Sequence, residues 1–143
     1  MKFNMSIEDI ENEIIGEFEI FDDWMGKYEY LIELGKSLPM IDEKDRTDDK
    51  LIKGCQSRVW MHSELQNGNV IFTADSDAII TKGMVALMVR VLSNHTPDEI
   101  INAKLDFINT IGLTQHLSPT RSNGLVSMIK QMKLDAVAYK VKN

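Results

Sequence analysis

The feature that most constrains the fold is a change of hydrophobic period to two across residues 58–75. Apolar residues alternate with polar ones on both sides of Asn67-Gly68; they are Val59, Met61, Leu65, Val70, Phe72 and Ala74. Asn-Gly favours a type I′ turn, because both central residues of that turn need positive φ. The pattern therefore predicts two antiparallel strands joined directly by a two-residue loop.

This turn also predicts the register of the hairpin, with Gln66 opposite Asn69. If the pairing continues to the far end of the hairpin, Arg58 falls opposite Asp77, beside the segment that carries Cys55. A carboxylate there is able to tether that segment, to pair with Arg58, or to cap the following helix. Helix capping is the interpretation that we favour.

Helical periodicity flanks the hairpin, with apolar residues at steps of three and four. Candidate helix starts lie at Ser6, Asp22-Asp23, Asp75-Ser76-Asp77, Thr96 and Ser118. Residues 40–54 carry charges of both signs and predict a solvated loop, whereas residues 105–113 are compatible with a third strand followed by a turn. Helices around a small antiparallel sheet define an α+β fold, which we expect to be a single domain over residues 1–143.

The charge of the chain narrows the classes of partner. A formal net charge of -6 argues against nucleic acid or an anionic membrane, because both attract a positive surface. The start of the chain has no apolar signal region and no later run approaches the length of a membrane span. We therefore expect a cytoplasmic chain whose partner is a protein or a small ligand.

The chain has a single cysteine, Cys55, and this limits the chemistry open to it. One cysteine forms no internal disulfide, supplies no zinc site with two or more cysteines, and holds no iron-sulfur cluster alone. His62, His95 and His116 show no ligand spacing with one another or with Cys55, so no metal site is predicted. Chemistry at this thiol is either solitary or involves another molecule.

The setting of Cys55 allows a close approach by a partner. Gly54 removes side-chain bulk beside the thiol, and Lys53 and Arg58 place positive charge nearby. A free thiol with a pKa of about 8.5 is only slightly ionised at neutral pH, so a nucleophilic role needs such cations or backbone N–H groups. The alternative is that Cys55 is an inert, buried apolar residue.

Arg121 is a second candidate, because it follows Ser118-Pro119 in the first turn of a predicted helix. A cation is unfavourable at the positive end of the helix dipole, so another interaction is expected to keep it there. Its guanidinium is able to receive an anionic sulfur or a partner's carboxylate, whereas an exposed ion pair with a local acid is the simpler alternative.

Three stretches closely resemble signature segments of the SufE family in their order and spacing: GCQSRVW at 54–60, DSDAIITKG at 75–83 and LSPTRSNGL at 117–125. The resemblance extends over residues 27–140. It implies a small antiparallel sheet with helices packed around it, a fold shared with IscU-type scaffolds. Those scaffolds use several ligands for a cluster, so a single cysteine favours a carrier.

The resemblance also implies a function. The family accepts a persulfide from a pyridoxal-phosphate cysteine desulfurase of the SufS type, stimulates that enzyme, and passes sulfur to a SufBCD-type scaffold complex for iron-sulfur cluster assembly. Cys55 matches the acceptor, and Asp77 and Arg121 match positions implicated in the acceptor loop and in desulfurase engagement. Such a chain is a transfer protein and activator rather than a stand-alone enzyme; it needs no cofactor of its own, and a homodimer is compatible with this role.

Alternatives remain open at this point. A CsdE-like acceptor for another sulfur pathway has the same motifs. A thiol redox protein would use Cys55 as a peroxidatic residue, although the chain has no second cysteine to resolve it. A purely structural interaction domain would leave Cys55 inert. For the carrier, we expect residues 50–57 to be a two-position loop that shields Cys55 in the free protein and exposes it in the complex.

Overall fold

The computed structural model describes residues 5–39 and 41–142 and places a β-hairpin among seven α-helices within those ranges. None of the described helices is both long enough and apolar enough to cross a membrane. In chain order the elements are α1 Ile7–Glu19, α2 Trp24–Lys36, β1 Val59–Gln66, β2 Asn69–Ser76, α3 Ile79–Leu92, α4 Pro97–Asn102, α5 Phe107–Thr110, α6 Leu113–His116 and α7 Pro119–Lys142.

The hairpin confirms the predicted turn and register. Gln66 pairs with Asn69, and the antiparallel ladder runs on to Val59 opposite Ser76. The turn residues Asn67 and Gly68 have φ values of 52° and 83°, as a type I′ turn requires. The apolar face of the hairpin packs into the core through buried side chains that include Met61, Val70, Phe72 and Ala74.

Four of the five predicted helix starts are confirmed by side-chain caps; they are Ser6, Asp23, Thr96 and Ser118. The Ser6 hydroxyl accepts the Asp9 backbone N–H at 3.1 Å, and Thr96 and Glu99 form a reciprocal capping box at α4. The predicted cap of α3 is wrong. The N-cap residue is Ala78, which has no side-chain cap, because Asp75 and Asp77 are engaged in other contacts.

The third strand considered for residues 105–113 does not form. That segment contains α5 and the start of α6 instead, bracketed by left-handed residues at Leu105 and Gly112 with φ values of 61° and 85°. Phe107 and Ile111, one helical turn apart, are both buried, so the apolar residues fit a short helix packed on the core.

The charged connection, described from residue 41 to residue 54, is largely exposed but is held to the hairpin at several points. Arg46 makes an ion pair with Asp75, which is only 4% exposed, and its guanidinium lies 4.8 Å from the centre of the Trp60 ring. Ile41 and Ile52 are buried. Two 3₁₀ turns give the connection local structure; they are Glu43–Asp45 and Asp48–Lys50. The segment before Cys55 is thus fixed to the hairpin.

Helices α2 and α3 touch backbone to backbone at Gly35 and Gly83. A Cβ added to Gly83 would overlap the Leu31 carbonyl oxygen and lie 2.8 Å from Leu31 Cγ. A Cβ added to Gly35 would lie 2.8 Å from the Gly83 nitrogen. Only glycine allows this approach, and it fixes the first turns of α3, which carry Thr81 and Met84.

Candidate functional site

Cys55 lies between the charged connection and β1, where it contacts the side of α7. Its thiol is half-buried and donates a hydrogen bond to the Gly124 carbonyl oxygen at 3.5 Å. Gly54 has a φ of 93°, and a Cβ added there would overlap the Ser127 hydroxyl of α7. The sequence therefore needs glycine beside the thiol for two reasons, the left-handed backbone and the close packing on α7.

Cys55 lines a cavity of about 370 Å³. The three segments singled out from the sequence meet here, although they lie far apart along the chain. Residues 54–60 contribute Cys55 and Gln56, residues 75–83 contribute Thr81, and residues 117–125 contribute Ser118, Arg121 and Gly124. The three segments therefore line one cavity together, and that cavity contains the Cys55 thiol.

Burial raises the pKa of the Cys55 thiol above its ordinary value. Lys53 and Arg58, which the sequence suggested as activating cations, are exposed, and burial dominates in this conformation. Since the thiolate is the nucleophile, burial disfavours the reactive form of Cys55 in this conformation.

Asp77 holds the C-terminal end of the Cys55 loop. Its carboxylate accepts the Arg58 backbone N–H at 3.1 Å, and its own backbone N–H donates to the Arg58 carbonyl oxygen at 3.3 Å. Arg58 therefore lies opposite Asp77, as the register predicted, and the carboxylate holds the backbone of Arg58. The favoured interpretation of Asp77 as a helix cap is wrong. Ala78 is extended, so α3 begins one residue too late for the Asp77 carboxylate to act as its N-cap.

A backbone hydrogen bond closes the N-terminal end of the loop. The Ile52 N–H donates to the Val59 carbonyl oxygen at 2.9 Å, and Leu51 forms a bridge with Trp60. These contacts join residues 51 and 52 to β1. Residues 53–57, with Cys55 at their centre, lie between them and the contact of Asp77 with Arg58, inside the predicted loop 50–57.

Arg121 lies at the mouth of the same cavity, in the first turn of α7. The Ser118 hydroxyl accepts the Arg121 backbone N–H at 3.3 Å, which is an N-cap contact. The guanidinium donates to the Tyr28 hydroxyl at 3.0 Å. The interaction expected to keep this cation at a helix N-terminus is thus a neutral acceptor on α2.

Sequence reasoning missed the aromatic residues next to Arg121. Trp24 stacks on His116 with ring centres 4.2 Å apart and lies 5.4 Å from the ring of Tyr28. Trp24 and Tyr28 lie four positions apart in the helix predicted after Asp22-Asp23, but that spacing does not show which residues of other helices they contact. Within residues 5–39 and 41–142, no three or more His, Cys, Asp or Glu side chains are grouped so as to hold a metal ion.

Comparison with known proteins finds a matching family and similar relatives. The SufE family, described as an Fe-S metabolism associated domain, matches residues 12–136. An uncharacterised SufE-like protein of Rhizobium meliloti is 39% identical, and the match covers 87% of this chain and 93% of that protein. An uncharacterised SufE-like protein of Rhizobium etli is 40% identical, covering 87% and 88%.

Two further similar proteins differ more from this chain, one because it is much longer and the other because its sequence identity is low. SufE-like protein 1, chloroplastic/mitochondrial, of Arabidopsis thaliana is 39% identical; the match covers 91% of this chain and 35% of the plant protein. The solution structure of a hypothetical protein from Thermus thermophilus superposes with a TM-score of 0.74 at 16% identity, covering 90% of this chain and 94% of that one. It shares the fold, which confirms the predicted α+β class.

Proposed function

Because the chain belongs to the SufE family, we propose that it accepts sulfur as a persulfide on Cys55 from a cysteine desulfurase of the SufS type. The observation that carries this proposal is the position of the single cysteine, enclosed where three signature segments of the family meet. A structural domain has no need to build a cavity around one thiol. A peroxidatic cysteine is disfavoured because the chain has no second cysteine to resolve a sulfenic acid.

The transfer step is a thiol exchange with one extra sulfur. The Cys55 thiolate attacks the terminal sulfur of the desulfurase persulfide, forming a new S–S bond. The bond between that sulfur and the donor cysteine breaks, and the donor leaves as a thiolate, so the exchange requires no outside oxidant or reductant. Gly124 keeps the space beside the sulfur free of a side chain, because a Cβ at that position would lie in van der Waals contact with the Cys55 sulfur, at 3.7 Å.

The proposed transfer involves two partners, the desulfurase as donor and a scaffold complex as recipient. The carrier stimulates the desulfurase by removing its persulfide, and then delivers sulfur to a SufBCD-type scaffold complex for iron-sulfur cluster assembly. The same exchange serves a CsdE-like pathway with another recipient. The proposal places this chemistry in a reducing compartment such as the cytoplasm, because the thiol has to stay unoxidised between transfers.

Mass spectrometry of the intact chain tests the proposal directly. Incubation with a SufS-type desulfurase and cysteine is expected to add one sulfur atom to Cys55, and a reductant should remove it. Incubation with peroxide alone should leave most of the chain unmodified. Rapid sulfenic acid formation without any sulfur gain from the desulfurase would favour the redox alternative, and no change in either reaction would favour a structural domain.

Arg121→Ala is expected to weaken desulfurase binding by about 1.5 to 3 kcal/mol, roughly ten- to a hundredfold in Kd, if its guanidinium makes a charge-assisted contact in the complex. The melting temperature should change little, because the side chain is exposed. Calorimetric titration measures the affinity and a thermal melt measures stability. Unchanged affinity with a lowered melting temperature would make Arg121 a structural residue.

Asp77→Arg is expected to open the 53–57 loop, because it removes the carboxylate that accepts the Arg58 N–H and adds repulsion with Arg58. Iodoacetamide should then label Cys55 about three- to tenfold faster, the effect of losing a hydrogen bond with a net contribution of about 0.5 to 1.5 kcal/mol. Desulfurase stimulation should rise unless the new charge damages the interface.

The pH dependence of labelling gives a second readout of the same variant. Burial raises the pKa of Cys55 in the closed loop, so wild-type labelling should climb with pH to a higher midpoint than that of a free thiol. Asp77→Arg should move this midpoint to lower pH. Glu8→Arg, which makes the same charge change on α1, is the control and should label like the wild type. A wild-type Cys55 that labels as fast as a free thiol would exclude a shielded state.

A further inference from the structure

The contact between Arg121 and Tyr28 joins two helices that are far apart in the sequence. Arg121 is in the first turn of α7, and its Nη1 donates to the Tyr28 hydroxyl of α2 at 3.0 Å. The backbone of Arg121 is held separately, by the Ser118 hydroxyl at 3.3 Å. Both ends of this residue are thus fixed, although the side chain is exposed.

The ring of Tyr28 is itself supported by a stack of aromatic side chains. Trp24 lies one helical turn before it on α2, with ring centres 5.4 Å apart and the planes tilted by 52°. The other side of Trp24 is covered by His116 of α6, nearly parallel at 16° and 4.2 Å away. His116 closely precedes Ser118, so the stack ties the start of α7 to α2.

An exposed arginine without such a partner loses conformational entropy when it binds another protein. Its side chain carries about 2 kcal/mol of rotamer entropy, part of which is lost whenever the guanidinium is fixed against a partner. The Tyr28 hydroxyl accepts one N–H and leaves the other donors free. It also adds no charge, so the full positive charge of Arg121 remains available at the mouth of the Cys55 cavity.

We propose that Tyr28 is the positioning residue for Arg121, and that it holds the guanidinium in its binding orientation before the partner arrives. The role deepens the proposed function and rests on it, since the partner is the desulfurase. Tyr28 contributes to affinity by reducing the entropy that Arg121 loses on binding, and this contribution exists only when Arg121 is present.

The test removes only the Tyr28 hydroxyl. Tyr28→Phe keeps the ring against Trp24 and is expected to weaken desulfurase binding about three- to tenfold, the range for losing one hydrogen bond. In an Arg121→Ala background the same change should alter Kd by less than about twofold, because the contact is already lost. Tyr139→Phe is the matched control. It removes a hydroxyl that donates to the Ser63 carbonyl oxygen at 2.8 Å near the other end of α7, and it should leave affinity unchanged.

A measurement on the free protein separates this inference from the proposed function. The Arg121 Nε–H signal in ¹⁵N NMR, assigned by its absence in Arg121→Ala, should show an ordered side chain in the wild type and faster motion in Tyr28→Phe. Unchanged order would overturn the positioning role, as would equal losses of affinity with and without Arg121. If the wild type binds no desulfurase at all, the proposed function fails, and the NMR result still decides whether Tyr28 positions Arg121.

Discussion

Cys55→Ser is expected to abolish both sulfur acceptance and desulfurase stimulation while the fold stays intact. The hydroxyl is close to the thiol in size, and the half-buried site beside the Gly124 carbonyl oxygen accepts either group as a hydrogen-bond donor. Serine cannot hold a sulfane sulfur, so the loss of activity should be complete. Far-UV circular dichroism measures the fold, and sulfide release from cysteine measures the desulfurase.

The control for Cys55→Ser is Ser57→Ala, which removes a hydroxyl from the same cavity wall and leaves the thiol in place. It should retain sulfur acceptance. Undiminished stimulation by Cys55→Ser would remove Cys55 from the mechanism and leave activation to surface contacts such as that of Arg121. Equal losses in both variants would show instead that any change to the cavity disturbs the loop.

Gly83→Ala is expected to cause a large loss of stability, because α2 and α3 touch backbone to backbone at this residue. The new methyl group would overlap the Leu31 carbonyl oxygen and lie 2.9 Å from the Leu31 carbonyl carbon. These are backbone atoms, so the overlap cannot be relieved by a change of side-chain rotamer. The cost should be about 3 kcal/mol, the upper end for overpacking. A thermal melt should show a midpoint lowered by roughly 10 °C in a domain of this size.

Gly16→Ala is the matched control for this variant, because it makes the same chemical change in the interior of α1. A Cβ there meets no described atom within 4 Å. Alanine should therefore stabilise the chain by about 0.5 to 1 kcal/mol through its higher helix propensity. A Gly83→Ala protein that melts with the wild type would mean that α2 and α3 separate without cost, contrary to the close contact described above.

The hairpin and several helix starts could be predicted because short-range rules determine them. The positive φ values at Asn67-Gly68 require a particular turn, and that turn sets every pair up to Val59 and Ser76. The capping box of Thr96 and Glu99 is likewise a local device. Such signals depend on neighbours within a few residues, and no tertiary contact overrides them here.

The roles of the acidic residues could not be predicted, because each depends on a distant partner. Asp75 looked like a helix cap but forms ion pairs with both Arg46 and Lys82. Burial raises the pKa of this carboxyl, but the Ser76 backbone N–H and the two cations together hold it below its ordinary value. Asp77 likewise contacts Arg58 rather than its own helix. A local capping rule cannot distinguish these outcomes, because the hydrogen-bond donors and cations that contact each carboxylate are distant in the sequence.

The candidate site could be predicted in its parts but not in its assembly. The sequence identified Cys55 and Arg121 but gave no reason to place Tyr28 beside them, because that contact spans 93 positions. The charged connection before Cys55 was predicted only in part for a similar reason. Most of its charged side chains are exposed, as expected, whereas Arg46 finds its partner on β2.

The two contacts that close the Cys55 loop also limit how far the sulfur can travel. Ile52 is fixed by Val59 on one side and Arg58 by Asp77 on the other, and each lies three residues from Cys55. An extended chain spans at most about 3.3 to 3.6 Å per residue, so the Cys55 backbone stays within roughly 10 Å of both anchors. The reach of the Cys55 side chain is therefore short. In the proposed sulfur transfer, a donor or recipient would have to bring its own sulfur atom or acceptor into that radius, either on a projecting loop or in a site open enough to admit residues 53–57.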